Sequence, residues 1–203
     1  MRASLLLVIT VAILGLVPSI ALSDDGPFGL TWGMSKDQVK ELGVSQETAA
    51  AKLNLEVFAT TSLPRNLSIA EKYELVFDKR FGLQKVQMVS KDITDDLLGV
   101  EGKKVYANLK ESLTKKYGKP SHEIEFVGAK LWEEADEFYQ CLAYSGCGAW
   151  AAGYEHETGT ILVQLEGMDR GRGFIRLTYE GPRWAEALNE MRSHEAAADD
   201  DAL

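Results

Sequence analysis

The chain has 203 residues, with 31 acidic side chains against 22 basic ones, a formal net charge of −9 and two cysteines. That balance argues against nucleic acid and anionic membrane surfaces as partners, because both call for a basic face. The length fits one domain, or two small similar halves, and is enough to bury a core.

The first residues read as a leader. Arg2 supplies a positive start, and Leu5–Val17 is a thirteen-residue run without a charge, too short to span a bilayer comfortably. Pro18 ends the run, and Ala21-Leu22-Ser23 puts small residues at the two positions a signal peptidase reads. Cleavage is expected after Ser23, which removes Arg2 and leaves the mature chain one unit more negative. No cysteine lies near the cut, so no lipid anchor is expected, and no later apolar run approaches membrane-spanning length. The expected location is periplasmic or secreted, with no integral membrane segment after cleavage.

After a mobile start at Asp24–Pro27, the stretch Phe28–Gly43 carries an extended arm into a short helix. Ser35 is the N-cap, Gln38 completes a capping box, and Met34 with Val39 has the spacing of a hydrophobic staple. Asp37 suits the positive end of the helix, and Gly43 ends it. Glu47–Asn54 is rich in alanine and predicts a second short helix. Leu55–Thr61 alternates and predicts a strand. Leu63–Ala70 is loop; its Asn66-Leu67-Ser68 matches a glycosylation sequon that matters only in a eukaryotic secretory route. Tyr73–Phe77, a turn over Asp78–Gly82, and Leu83–Val89 predict a hairpin.

Ile93–Gly102 is a connector. Lys103–Tyr117 predicts a long helix, with Val105, Leu109, Leu113 and Tyr117 on one stripe that Tyr106 broadens. Gly118 and Pro120 stop it, and Lys115 and Lys116 suit its negative end. Strands are expected at Glu123–Val127, around Trp150, Ala152 and Tyr154, around Ile161, Val163 and Leu165, and around Ile175, Leu177 and Tyr179. Pro182 opens a last helix whose apolar face is Trp184, Leu188 and Met191. Residues 195–203 form an Ala/Asp tail expected to be disordered.

A glycine-stopped helix followed by strands thus occurs twice. The expected fold is α+β, an antiparallel sheet with helices packed on one face, built from two diverged helix-plus-strands units. The expected organisation is a cleaved leader over 1–23, one domain over 24–194 with halves 28–98 and 99–194, and the tail over 195–203.

Trp32-Gly33-Met34-Ser35, Gln38-Val39 and Leu42-Gly43 together resemble the opening of a group of uncharacterised exported bacterial proteins. Those chains similarly continue with a Tyr-x-Leu-x-Phe hairpin, here Tyr73–Phe77, and a helix ending Lys-Tyr-Gly-Lys-Pro, here Lys116–Pro120. The spacing is also similar to that of the small outer-membrane assembly lipoproteins and of the β-lactamase-inhibitor-protein fold. The resemblance implies a helix-over-sheet α+β fold and protein-binding relatives, and it brings no catalytic residue with it.

Cys141 and Cys147 are the only thiols of an exported chain and have five residues between them. They are expected to form an intrachain disulfide that pins the turn before the Trp150 strand. A metal site of Cys141, Cys147 and His156 would have three ligands at irregular spacing, and the bridge is favoured over it. His122, His156 and His194 lack partners at ligand spacing. Ser145 lacks the preceding glycine of a nucleophile elbow. Glu133, Glu134, Asp136 and Glu137 lack the glycine hinge of a calcium loop and read as a solvated edge. Arg170 and Arg172, in the glycine-rich loop, are candidates for binding an anion, against the plainer reading of a strand connection. Trp32, Trp150 and Trp184 read as core or sheet-face aromatics. No catalytic residue, cofactor or metal is assigned.

Three function classes follow. The favoured one is a non-enzymatic binding or interaction module of the bacterial envelope, which takes an envelope protein or component on an exposed sheet face. The second is a hydrolase or lyase that uses carboxylates. The third, suggested by the resemblance, is an inhibitor-like protein that binds an enzyme partner.

Overall fold

The computed structural model describes residues 26–45, 47–129 and 131–202, so the expected leader and its cleavage position lie outside the described residues. The opening stretch folds as its residues dictate. The Ser35 hydroxyl accepts from the Gln38 N–H at 3.2 Å, and the Gln38 side chain accepts from the Ser35 N–H at 2.8 Å, closing the capping box of helix α1, Lys36–Glu41. Ahead of it, Leu30 and Trp32 are buried, and the Phe28 ring meets Tyr73 and Tyr179 edge-on at 5.1 and 5.5 Å. The arm is therefore part of the core, and it pairs with the chain at Leu83 through the Gly33 N–H and the Met34 carbonyl.

Eight antiparallel strands follow: β1 (Glu47–Lys52), β2 (Leu55–Thr60), β3 (Ala70–Asp78), β4 (Gly82–Ser90), β5 (His122–Phe126), β6 (Ala149–His156), β7 (Gly159–Asp169) and β8 (Arg172–Glu180). They make one sheet in the order β1-β2-β3-β4-β8-β7-β6-β5. The first four strands form a meander, the last four form another, and the two join last strand to last strand, with Met88 opposite Leu177. One helix precedes each meander, and in the second a further helix separates β5 from β6.

Helix α2 (Val100–Tyr117) lies over the second meander and α3 (Phe138–Ala143) over β7. Under them runs the main core: Tyr73, Leu75, Val86, Met88, Val163, Ile175 and Leu177 are all at most 1 % exposed. Strand alternation puts these side chains on one face and their neighbours on the other. Helix α4 (Trp184–Ala202) turns back beneath the first meander, where Ala187, Trp184 and Met191 pack on Leu55, Val57 and Val76. The chain is α+β as expected, and α4 adds cover to the opposite side of the sheet from α2 and α3.

Four expectations are corrected. Residues 47–52 are strand β1 rather than helix, because the ladder to β2 outweighs the helix preference of three alanines. The long helix begins at Val100 rather than Lys103, because the Asp96 carboxylate accepts from the Gly102 N–H at 2.9 Å and so supplies a cap from outside the helix. The acidic stretch before Phe138 leads into α3, which buries Phe138, Tyr139 and Cys141 where the sequence predicts no element. Helix α4 starts at Trp184, two residues after Pro182, and runs through Ala202 across the segment expected to be disordered. Alanine favours that helix, and Glu195 ties it to Lys52 on β1.

Candidate binding face

The side of the sheet opposite α2 carries the outward residues of β5 to β8 and β4. Their register sets them in rows. One row is His122, Gly153, Leu162, Thr178 and Gln87; the next is Ile124, Ala151, Gln164, Arg176 and Val89. Glycine and alanine at 153 and 151 leave β6, between β5 and β7, almost without side chains here. The result is a trough of about 480 Å³. Its walls hold two of the large apolar side chains left exposed among the described residues, Ile124 at 48 % and Leu162 at 37 %.

Polar groups frame the trough and are tied to one another. The Lys85 ammonium meets Glu180 at 3.0 Å, and Thr160 donates to the same carboxylate at 3.2 Å. Gln87 donates to Glu74 at 3.2 Å. Arg176 lies 3.5 Å from Glu166 and over the Phe174 ring at 5.5 Å. Lys85, Glu180 and Gln87 are engaged with neighbours, whereas the buried Arg176 Nε makes no hydrogen bond among the described residues, so the face offers mainly shape and apolar area with one donor left over. At its rim, Ser121 and His122 touch at 3.1 Å, but the Ser121 hydroxyl donates to the Gly153 carbonyl at 3.2 Å, which commits it to the sheet.

Across β5, on the helix side, Lys110 of α2 bridges Glu123 at 2.8 Å and Glu125. The hydrogen bond from the Lys110 ammonium holds the Glu123 carboxyl below its ordinary range, against the opposing effect of burial. This pair of carboxylates shares one cation, and its role is to fasten α2 to the edge strand.

The remaining candidates are scattered. Cys141 and Cys147 form the disulfide, with Cα atoms 5.1 Å apart, and it closes the loop between α3 and β6. Arg172 pairs with Asp92 at 3.1 Å and Asp169 at 3.0 Å, and Arg170 pairs with Asp136. The two arginines pin the β7–β8 turn to its neighbours, so an anion would have to displace carboxylates. Asp136 is thereby spent, and Glu137 accepts from the Glu134 N–H at 3.1 Å in a capping box. His156 sits at the β6–β7 turn against Thr158 and the Tyr117 ring, far along the sheet from the cysteines. Among the described residues no three His, Cys, Asp or Glu side chains are grouped to hold a metal ion, and no helix is long and apolar enough to cross a membrane. Trp32 and Trp150 pack in the main core and Trp184 in the cluster under α4.

The trough was not legible as a site. Its signal in the sequence is only the pair of small residues Ala151 and Gly153 inside an alternating strand, which mark a place where something approaches the backbone closely. Comparison with family models, with curated proteins and with solved structures gives no match.

Proposed function

We propose that this chain is a non-enzymatic binding module that takes another protein of the bacterial envelope on the open face of the second meander. The observation that carries the reading is the trough over Ala151 and Gly153, walled by exposed Ile124 and Leu162. A strip of small side chains between apolar walls accepts a partner's protruding side chains, and the rim adds the unsatisfied Arg176 Nε as a donor for the partner. The disulfide fits an oxidising compartment, and together with the leader expected from the sequence it supports a periplasmic or secreted location. An inhibitor-like role, in which the partner is an enzyme, uses the same face.

The test is capture from envelope extract by the chain from residue 24 onward, with Leu162→Asp and Ile124→Asp as variants. Both positions are exposed, so the circular dichroism spectrum and melting temperature should stay unchanged. A charge placed in the trough should abolish capture of the specific partner. Equal capture by wild type and both variants would overturn the proposal.

A further inference from the structure

The sheet has two free edges, β1 and β5, and they treat a second copy of the chain in opposite ways. All six residues of β1 are exposed, and among the described residues it is hydrogen-bonded on one side only, to β2. The sequence Glu-Thr-Ala-Ala-Ala-Lys has the composition of a helix, buries nothing as a strand, and still forms one. A segment held against its own preference by a single ladder has an unmet stabilisation that a second ladder would supply.

Register decides what can supply it. The ladder shifts between Thr48 and Ala50, so Glu47, Ala50 and Lys52 all stand opposite Ala59, Val57 and Leu55, on the α4 side of the sheet. Two strands that pair about a twofold axis must oppose residues of the same side. Two β1 strands placed antiparallel therefore set Glu47 of one copy against Lys52 of the other, twice, with Thr48 opposite Ala51 on the other side. Lys52 already touches Glu195. A lysine between two carboxylates occurs elsewhere in the chain, at Lys110. No proline interrupts β1, and its small side chains put no bulk in the way.

Edge β5 does the reverse. Both of its helix-side residues are acidic, Glu123 and Glu125, so the antiparallel self-pairings centred on Glu123, Ile124 or Glu125 oppose glutamate to glutamate. Like charges directly opposite are destabilising, and such residues guard an edge.

We infer that the protein self-associates as a twofold dimer through antiparallel pairing of β1 with β1 of a second copy, leaving the trough and β5 free. A six-residue ladder is a small interface, so the dimer is weak, with a dissociation constant on the order of 100 µM. The proposal stands apart from the binding role of the open face.

The experiment is sedimentation equilibrium of the chain from residue 24 onward, up to about 1 mM, well above the expected constant. Wild type should dimerise. Lys52→Glu should weaken the dimer on the order of tenfold, because it turns two attractions into two repulsions. Exchanging the charges, Glu47→Lys with Lys52→Glu, should restore it. Amide exchange in residues 47–52 should slow as wild-type concentration rises. A monomer at about 1 mM would overturn the inference. So would a dimer indifferent to Lys52→Glu, which would place the contact on another surface.

Discussion

Tyr139 donates its hydroxyl to the Asp96 carboxylate at 2.8 Å, and the same carboxylate oxygen accepts the Gly102 N–H at 2.9 Å. One acidic side chain in the connector thus caps α2 and anchors α3. The tyrosine reaches it because there is no side chain at Gly102, Gly167 or Gly173: a Cβ at the first would overlap the Tyr139 hydroxyl, at the second the Tyr139 carbonyl, and at the third the Tyr139 ring. A six-residue helix too short to stand alone is held by a socket of glycines and by one charge-assisted bond.

Gly102→Ala is expected to destabilise. Alanine should improve an exposed helix position by about 1 kcal/mol. Here its methyl group collides with the Tyr139 hydroxyl, and overpacking of this kind costs about 1–3 kcal/mol. Urea denaturation should give a net loss; a gain would show that the tyrosine moves aside freely.

Asp96 also predicts an acid limb. Burial acts to raise its pKa, but the hydrogen bonds from the Gly102 N–H and the Tyr139 hydroxyl, with further backbone bonds at Glu101 and Val100, outweigh it and hold the folded value below the ordinary 3.8. A carboxylate with a depressed folded pKa contributes stability above its unfolded value and loses it as pH falls through the folded one. Stability should therefore decline below about pH 4 more steeply in wild type than in Asp96→Asn. Tyr139→Phe should cost about 1.5–3 kcal/mol at neutral pH and flatten the same limb. Equal slopes in all three proteins would remove Asp96 from the account.

The parts of the fold legible in sequence are those whose signals are local. The capping box at Ser35 and Gln38 and the alternation of β2, β3, β4, β7 and β8 stand in consecutive residues. What failed depends on distant partners. Glu47–Lys52 carries a helical composition, and only its ladder to β2 makes it a strand. Helix α3 has no apolar period to read in six residues, and what holds it is supplied by Asp96 and by glycines remote in the chain. The trough is likewise a product of register, since Ala151 and Gly153 mean nothing until Gln164 and Leu162 lie beside them.

The stripe of α2 predicts a graded response. Leu113 is 6 % exposed, whereas Leu109 on the same stripe is half-buried. Leu113→Ala should cost about 2–5 kcal/mol, and Leu109→Ala clearly less, because the cost follows the cavity left behind. Equal losses in thermal denaturation would mean that the helix sits on the sheet differently.

Reduction of Cys141–Cys147 is the last prediction. The bridge closes a loop of six peptide units between α3 and β6, and chain-entropy reasoning gives a loop that short about 2 kcal/mol. The elements on either side have their own anchors. Phe138 packs edge-on against Trp150 at 5.4 Å, and Tyr139 is bonded to Asp96. The Lys103 ammonium lies 4.0 Å from the centre of the Phe138 ring. Opening the bridge therefore adds freedom chiefly to the unfolded chain, and in the folded one it loosens only the 142–146 segment without releasing the two aromatic groups that seat α3. Denaturation with and without reductant should differ by about 2 kcal/mol, and amide exchange should quicken across residues 142–148 while the α2 and β7 amides stay protected. Loss of protection throughout the second meander would show that the disulfide, rather than the glycine socket and Asp96, is what keeps α3 in place.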